Sequence, residues 1–306
     1  MLNPALYFSG IQKRLLERRL RLDPNLRGAV AFPPGHFYSP LLDLRNVQPD
    51  TGAPFDGPEY WEHIDLRTKA QRSFYEELLS NFPPLPFPFH RTPDFRFYSE
   101  NDWFGPSDAF VLSALLRKEQ PRRIIEIGSG FSSAVMLDTL DHMGTSAALT
   151  FIEPHPERLH ALLSERDKAM TTILPQPAQE VSLSVFDQLE AHDLLFIDSS
   201  HVCKIGSDVA HILLRIVPRL KPGVLVHFHD IFYPFSYPTK WLREGRAWNE
   251  SLFLRAFLVG NSQFEIVAFN AFAKHSFPEI FHDRFPEFLK AAGSSLWLRS
   301  LERVHE

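Results

Sequence analysis

The chain has 306 residues, of which 44% are hydrophobic, enough to bury a sizeable core in one large domain with an added segment or in two modest domains. A formal net charge of -5 gives no indication of a nucleic-acid partner, and a single cysteine excludes an intrachain disulfide. No apolar run approaches the roughly 18 to 20 residues of a membrane span and no signal peptide opens the sequence, so we expect a cytoplasmic protein without an integral membrane segment.

Prolines and aromatic residues are concentrated in the first part of the chain. The stretches "FPPGHFYSP" (32–40) and "NFPPLPFPFH" (81–90) break long helices and central strands. Hydrophobic periodicity predicts two helices, at 10–22 and 59–82. We interpret residues 1–95 as an N-terminal arm or cap.

The arm and the sequence directly after it carry flat, partly polar side chains of the kind that hold sugars or rings. These side chains are His36, Tyr38, Tyr98 and Trp103. We therefore expect the arm to fold over a ligand face and to contact an acceptor, so that deleting residues 1–90 removes turnover but spares cofactor binding. A purely structural arm is the alternative.

From about residue 105 the sequence alternates between helical and strand patterns. In chain order it predicts a helix capped by Ser107 and Asp108 and running to Lys118, a strand at 123–130, a helix over Phe131 to Leu140, a strand to Glu153, a helix from Pro156, a weak strand at 171–174, a helix near Ser182 to Leu189, a strand at 193–201, a helix at 206–220, a strand at 223–230, a helix around Asn249 to Val259, and strands at 264–270 and 294–300. Alternation of this kind predicts an α/β fold with a parallel sheet and helices on both faces.

A glycine loop follows the first predicted strand in "EIGSGFSSAVML" (126–137). Gly128 and Gly130 let the backbone approach a ligand, and the next helix directs its N-terminus at that ligand. This pattern indicates a nucleoside-type ligand, although a simple tight turn is the alternative. A Cβ at Gly128 would enter the ligand's space, so we expect Gly128→Val to abolish binding and leave the fold intact.

Two features separate this loop from a dinucleotide fingerprint. Ser133 replaces the third glycine, and Glu126, directly before the loop, suits an ammonium group better than a pyrophosphate. Glu153, at the end of the second strand, is placed to accept hydrogen bonds from ribose hydroxyls. A nicotinamide-dependent oxidoreductase is therefore disfavoured, but it remains an alternative, as does a non-catalytic cofactor-binding module.

Polar residues end the fourth and fifth predicted strands, in "DLLFIDSSH" and "GVLVHFHD". The carboxyl ends of neighbouring parallel strands open on the ligand side, which should bring Asp198 close to His229 and Asp230. Two carboxylates and an imidazole form a good shell for a divalent cation, Mg²⁺ or Mn²⁺ before Fe²⁺. The alternative is a metal-free pocket in which His229 pairs with an acid.

Two further histidines lie in the same stretches. His227 shares a strand face with His229 but is deeper, so we expect a hydrogen-bonded core histidine. His201 follows Asp198 by three residues and is the candidate general base, with a simple loop hydrogen bond as the alternative. The catalytic candidates are thus His201, Asp198 and His229.

The order "EIGSG", "FIEP", "LLFIDSSH" and "KPGVLVHFHDIF" resembles class I S-adenosylmethionine-dependent methyltransferases, in particular the bacterial small-molecule group with macrocin O-methyltransferases and cephalosporin-hydroxylase-like proteins. The resemblance covers about residues 95–301 and implies a Rossmann-like domain over 96–306, with seven strands of which the last is reversed. Metal-dependent members place acidic ligands at the two strand ends, so His229 departs from their pattern.

The resemblance also implies the cofactor and its contacts. S-adenosylmethionine would bind at Glu126, Gly128, Ser129, Gly130 and Phe131, its ribose at Glu153 and its adenine near Ala178 and Gln179, where the usual acidic residue is missing; Asp198 completes the cofactor-binding candidates. The implied function is O-methylation of a hydroxyl on a sugar or secondary metabolite, acidified by the metal or deprotonated by His201. The partner is then a small-molecule acceptor and not a nucleic acid, and a homo-oligomer is compatible with this.

Overall fold

The computed structural model describes residues 32, 35–41 and 63–302. The predicted helix at 10–22 and the first four residues of the helix predicted at 59–82 lie outside these residues. The described residues form two compact units, the smaller containing 32, 35–41 and Pro238–Ala247 and the larger containing the remainder. None of the described helices is long and apolar enough to cross a membrane.

Seven strands form one sheet within the described part of the chain. They are β1 (Arg123–Ile127), β2 (Ala148–Ile152), β3 (Thr172–Leu174), β4 (Leu194–Ile197), β5 (Leu225–Phe228), β6 (Phe264–Phe269) and β7 (Leu296–Ser300). Their order is β3-β2-β1-β4-β5-β7-β6; the pairs among β1 to β5 are parallel, whereas β7 runs antiparallel to both β5 and β6. The predicted α/β Rossmann-like sheet with its reversed last strand is confirmed.

Helices connect the strands. The α-helices are α1 (Thr68–Asn81), α2 (Pro106–Glu119), α3 (Phe131–Met143), α4 (Glu157–Leu162), α5 (Glu165–Met170), α6 (Leu183–Phe186), α7 (Asp208–His211), α8 (Thr239–Arg243), α9 (Glu250–Leu258), α10 (Asn270–Ser276) and α11 (Glu287–Lys290). Single 3₁₀ turns lie at Ala178–Glu180 and Pro278–Phe281. The central strands β4 and β5 are buried at every position, as expected for strands with helices on both faces.

The segment after β4 differs from the single helix predicted at 206–220. The α-helical turn α7 continues as a π-helix over Ile212–Ile216 and then as a 3₁₀ turn over Val217–Arg219. Pro218 has no N–H to donate to the helix ladder, which is a physical reason for the helix to tighten and end there.

A buried polar network joins α2 to the strands at the reversed side of the sheet. The carboxylate of Asp108, 2% exposed, accepts hydrogen bonds from Asn270 Nδ2 (3.0 Å), Ser295 Oγ (2.5 Å) and the Ser294 N–H (3.2 Å). The hydroxyl of Tyr75 on α1 donates to Asn270 Oδ1 at 2.7 Å. Asp108, expected only as a helix cap, is the central acceptor of this network.

Helix α1 contributes to the core of the larger unit. Tyr75 and Leu78 are fully buried, and the Phe269 N–H in β6 donates to Gln71 Oε1 at 2.8 Å. A chain lacking residues 1–90 would lose these core contacts. Such a deletion would therefore affect the stability of the fold as well as the role of the arm. The boundary at residue 95 and the acceptor contacts of the arm stay predictions.

Replacing Asp108 by Ala should lower the free energy of unfolding by about 3 kcal/mol, because three buried donors lose their acceptor. Urea denaturation at neutral pH measures the change. The matched control is Asp141→Ala, which removes a carboxylate that is 51% exposed and pairs with Arg96; that change should cost less than about 1 kcal/mol. Equal losses in the two variants would contradict the importance of the network.

Candidate active site

The glycine loop follows β1 and passes close to the end of β4. Gly128 has a φ of +80°, its N–H donates to Ile152 O at 3.0 Å, and a Cβ added to it would lie 1.7 Å from the carbonyl oxygen of Asp198. Glycine is therefore required here by the chain itself. The prediction that Gly128→Val leaves the fold intact is wrong, because the added side chain meets the backbone of Asp198 before it meets any ligand.

Glu126, in β1, anchors the start of α3. Its buried carboxylate accepts hydrogen bonds from the hydroxyls of Ser132 (2.5 Å) and Ser133. Burial raises the pKa of Glu126, and hydrogen bonds from the serine hydroxyls offset part of that rise, so that the pKa is about 8. The carboxylate is engaged beneath the loop, so direct contact with a cofactor ammonium group stays a prediction that the burial opposes.

A cavity of about 470 Å³ opens beside the loop, at the carboxyl ends of β1, β2 and β4. Five of the predicted cofactor-binding residues line it: Gly128, Glu153, Ala178, Gln179 and Asp198. The other four do not line this cavity: Glu126 lies in β1, and Ser129, Gly130 and Phe131 form the loop and the start of α3. The structure thus gathers the predicted ribose and adenine positions at one cavity.

Backbone amides orient the carboxylate of Glu153. Its Oε2 accepts from the Ser129 N–H at 3.2 Å, and its Oε1 accepts from the His155 N–H at 2.8 Å. Each carboxylate oxygen retains a further lone pair, so Glu153 can still accept from a ligand hydroxyl. On the same cavity, Gln179 Oε1 is buried and has no hydrogen-bond partner among the residues that the structure describes.

Two carboxylates and two imidazoles meet where β4 and β5 end. His201 Nε2 lies 3.4 Å from Asp198 Oδ1 and 3.5 Å from Asp230 Oδ2. His229 Nδ1 lies 3.6 Å from Asp198 Oδ1 and 3.6 Å from Asp230 Oδ1. The predicted proximity of Asp198, His229 and Asp230 is therefore present, and His201 joins them.

The donor atoms of Asp198, His201 and Asp230 lie within 4.8 Å of one another, as a cation site requires. His229, the predicted third ligand, is not in that group. It is 5% exposed, and its Nε2 faces the buried Asp108 Oδ2 at 3.7 Å. His229 thus lies between the two site carboxylates, each 3.6 Å from its Nδ1, and the buried Asp108.

The charges of this cluster determine its pKa values. Burial lowers the pKa of His229, but the carboxylates of Asp230 and Asp198 outweigh burial and raise it well above its usual value. For His201 burial is again outweighed, by Asp198 and Glu250, and the pKa rises to about 10. Burial raises the pKa of Asp198, but His229 and His201 outweigh burial, and the pKa of this carboxyl falls below its usual value.

His227 behaves as a core histidine, as predicted. It is fully buried, its ring stacks on Phe196 with centroids 3.8 Å apart, and its Nε2 hydrogen-bonds Ser295 Oγ at 2.9 Å. Burial lowers the pKa of His227 well below its usual value, so the imidazole is neutral.

Sequence reasoning missed Glu250. Its carboxylate, at the first residue of α9, lies 2.8 Å from His201 Nδ1 and accepts from Ser199 Oγ at 3.2 Å. The sequence signal, an acidic residue directly after Asn249 at a helix start, indicates a local helix terminus and nothing about a residue 49 positions away.

Residues 125–231 match the family model of a methyltransferase domain. An uncharacterised protein from Archaeoglobus fulgidus is 32% identical over 168 residues, which cover 52% of this chain and 74% of that protein. This domain and the sheet order identify the chain as a class I S-adenosylmethionine-dependent methyltransferase. S-adenosylmethionine is therefore its cofactor, and the nicotinamide-dependent alternative is set aside.

Solved structures of methyltransferases resemble the fold. SAH-bound Podospora anserina methyltransferase PaMTH1 is 14% identical, with a TM-score of 0.45 over 98% of this chain and 100% of that chain. The O-methyltransferase TomG from Streptomyces achromogenes, in complex with SAM, is 15% identical, with a TM-score of 0.42; the match covers 77% of this chain and 89% of that chain. A Mg-SAM structure of cmcI is 18% identical, with a TM-score of 0.40 over 70% and 82%. These similarities concern the fold alone.

Gly128→Ala should lower the free energy of unfolding by about 2 kcal/mol or more, because the positive φ and the approach to Asp198 both exclude a Cβ. The matched control is Gly105→Ala, where φ is -76° and the added Cβ meets only Asp108 Oδ2, at 4.0 Å; its cost should be below about 1 kcal/mol. Urea denaturation of both variants is the measurement. An unchanged midpoint for Gly128→Ala would show that the loop can move away from β4.

The raised pKa of Glu126 predicts a pH-dependent stability. Between the ordinary pKa of about 4.5 and the folded value of about 8, the folded state holds a proton that the unfolded state has released, so stability falls as pH rises. Relative to Glu126→Gln, the unmodified protein should lose about 1 kcal/mol per pH unit between pH 6 and 8. Urea denaturation of both proteins across that pH range tests this. If the free energy of unfolding depends on pH in the same way in both, the prediction is contradicted.

Proposed function

We propose that the protein is an O-methyltransferase that methylates a hydroxyl of a small molecule, a sugar or secondary metabolite, with a divalent cation at the ends of β4 and β5. The observation that carries the proposal is the position of Asp198, which lines the cofactor cavity and also belongs to the acid–imidazole cluster. A methyl donor bound in the cavity and a methyl acceptor bound at the cluster would therefore be neighbours.

The cluster residues fit a divalent cation. Asp198 and Asp230 offer carboxylate oxygens and His201 offers Nε2, a donor set suited to Mn²⁺ or Fe²⁺ and acceptable to Mg²⁺. Both nitrogens of buried His229 lack a hydrogen-bond partner among residues 32, 35–41 and 63–302, and its Nδ1 faces the same two carboxylates. We assign His201, rather than His229, as the imidazole ligand. We assign to His229 the role of supplying positive charge next to the two carboxylates.

The cofactor supplies an electrophilic methyl group on a sulfonium. The chain's part is to hold it in line with the acceptor oxygen, since positioning accounts for much of the rate in such a displacement. We assign Glu153 to the ribose hydroxyls, because two backbone amides orient its carboxylate. We assign Gln179 to the adenine, because its buried Oε1 has no hydrogen-bond partner within the described part of the chain.

The acceptor hydroxyl must lose its proton. The negative charge of Asp198, Asp230 and Glu250 keeps His201 protonated at neutral pH, so its predicted role as general base requires that charge to be offset. A cation held by the two aspartates would offset it and would also lower the pKa of a nearby hydroxyl. Because His201 Nε2 cannot bind the cation and accept a proton at the same time, the cation would acidify the hydroxyl in the metal-bound site and the proton would leave to solvent; His201 would act as general base only in a site without a cation.

Exhaustive chelation should abolish methyl transfer to a hydroxylated acceptor, and Mg²⁺, Mn²⁺ or Fe²⁺ should restore it. Release of S-adenosylhomocysteine, measured over a panel of sugars, glycosides and phenols, gives the readout. Full turnover in the chelated protein would overturn the metal assignment and leave a metal-free acid–imidazole pocket.

Asp230→Asn should weaken the metal affinity about tenfold or more, because one negative donor becomes neutral while the shape is kept. The matched control is Asp187→Asn, which removes a surface carboxylate paired with Arg219 and should leave the metal affinity unchanged. Metal titration followed by calorimetry measures both variants, and S-adenosylmethionine affinity should be similar in the two. Equal metal affinities would remove Asp230 from the site.

A further inference from the structure

A buried carboxylate lies behind the imidazole of His201. The Glu250 side chain is 1% exposed and that of His201 is 7% exposed, and Glu250 Oε2 lies 2.8 Å from His201 Nδ1. By contrast, the contacts of His201 Nε2 with Asp198 and Asp230 are 3.4 and 3.5 Å long. The short contact is therefore on the side of the ring that faces away from the cluster.

The backbone of His201 is held by the start of the same helix. His201 has a φ of 59°, a left-handed conformation that is unfavourable for a residue with a side chain. Its carbonyl oxygen accepts from the N–H groups of Asn249 (3.0 Å) and Glu250 (3.1 Å). The Asn249 side chain pairs with the Cys203 backbone, its Oδ1 accepting at 2.6 Å and its Nδ2 donating at 3.2 Å. One helix end thus fixes both the backbone and the ring.

The chemistry of a carboxylate determines which ring nitrogen carries a proton. An ionised Glu250 only accepts hydrogen bonds, so the 2.8 Å contact requires an N–H at His201 Nδ1. When the ring is neutral, Nε2 is then the nitrogen with a free lone pair, and it faces Asp198 and Asp230. A ring flip would take Nδ1 away from Glu250 and leave the buried Oε2 without its donor, which is costly.

We infer that Glu250 is a positioning residue that fixes the ring and tautomer of His201, so that Nε2 is presented to the space between Asp198 and Asp230. The role of Nε2 at this position, as metal ligand or as proton acceptor, rests on the proposed function. The orientation itself follows from the buried contact between Glu250 and His201. A carboxylate behind an imidazole ligand commonly holds the ring in this way.

Two variants of Glu250 and one of its neighbour separate orientation from loop stability. Glu250→Gln keeps the shape and an acceptor oxygen but loses the charge, whereas Glu250→Ala removes the contact. Asn249→Ala removes the side-chain clamp on Cys203 and leaves the imidazole contact in place. Thermal unfolding and S-adenosylmethionine calorimetry establish which variants remain folded.

The first readout is Mn²⁺ binding, followed by the electron paramagnetic resonance signal of the free ion. We expect Glu250→Gln to weaken Mn²⁺ about tenfold and Glu250→Ala about 100-fold, with the cofactor affinity unchanged. Asn249→Ala should retain the Mn²⁺ affinity. Equal losses in Asn249→Ala and Glu250→Ala would overturn the inference, because loop stability alone would then explain both.

The second readout does not depend on a metal. Nitrogen-15 spectra of the histidine side chains should show a hydrogen-bonded Nδ1–H of His201 that is retained in Asn249→Ala and lost in Glu250→Ala. If the unmodified protein binds no Mn²⁺, the metal part of the proposed function fails and these spectra alone decide the role of Glu250. An unchanged His201 signal in Glu250→Ala would overturn the inference in either case.

Discussion

The approach of the glycine loop to the end of β4 determines how the parts of the site are arranged. Gly128 comes so close to the carbonyl oxygen of Asp198 that no side chain fits between them. The Asp198 N–H in turn donates to Ile127 O at 2.8 Å. This contact places the glycine loop, beside the 470 Å³ cavity, directly against the residue that begins the acid–imidazole cluster. Moving either strand end would separate the cavity from the cluster.

Charge balance is the second constraint on the site. Four carboxylates surround the two imidazoles: Asp108, Asp198, Asp230 and Glu250. Four carboxyl groups outnumber two imidazoles, so acidic groups are in formal excess in a partly buried space, where unpaired charge is unfavourable. A divalent cation between Asp198 and Asp230 would reduce that excess. The arrangement is therefore suited to binding a cation and poorly suited to a neutral, dry pocket.

The sequence was sufficient for features that depend on local pattern and strand ends. Alternating apolar runs and glycines predicted the sheet, and the polar residues directly after β4 and β5 predicted that Asp198, His229 and Asp230 would meet. It was insufficient where a contact depends on tertiary approach. Nothing local to Glu250 indicates that it faces His201, and nothing local to Gly128 indicates that the backbone of Asp198 is its neighbour.

The two histidines of β5 and its end show how position within one strand decides chemistry. His227 and His229 are two residues apart and both buried, yet their pKa values shift in opposite directions. At His227 the surroundings are Phe196 and Trp297, so burial dominates and the ring stays neutral. At His229 the strand has ended, and the carboxylates of Asp198 and Asp230 lie 3.6 Å from the ring in addition to the ring of Phe104. Two residues of chain, about 7 Å in an extended strand, thus separate a core side chain from one that carries charge to the site.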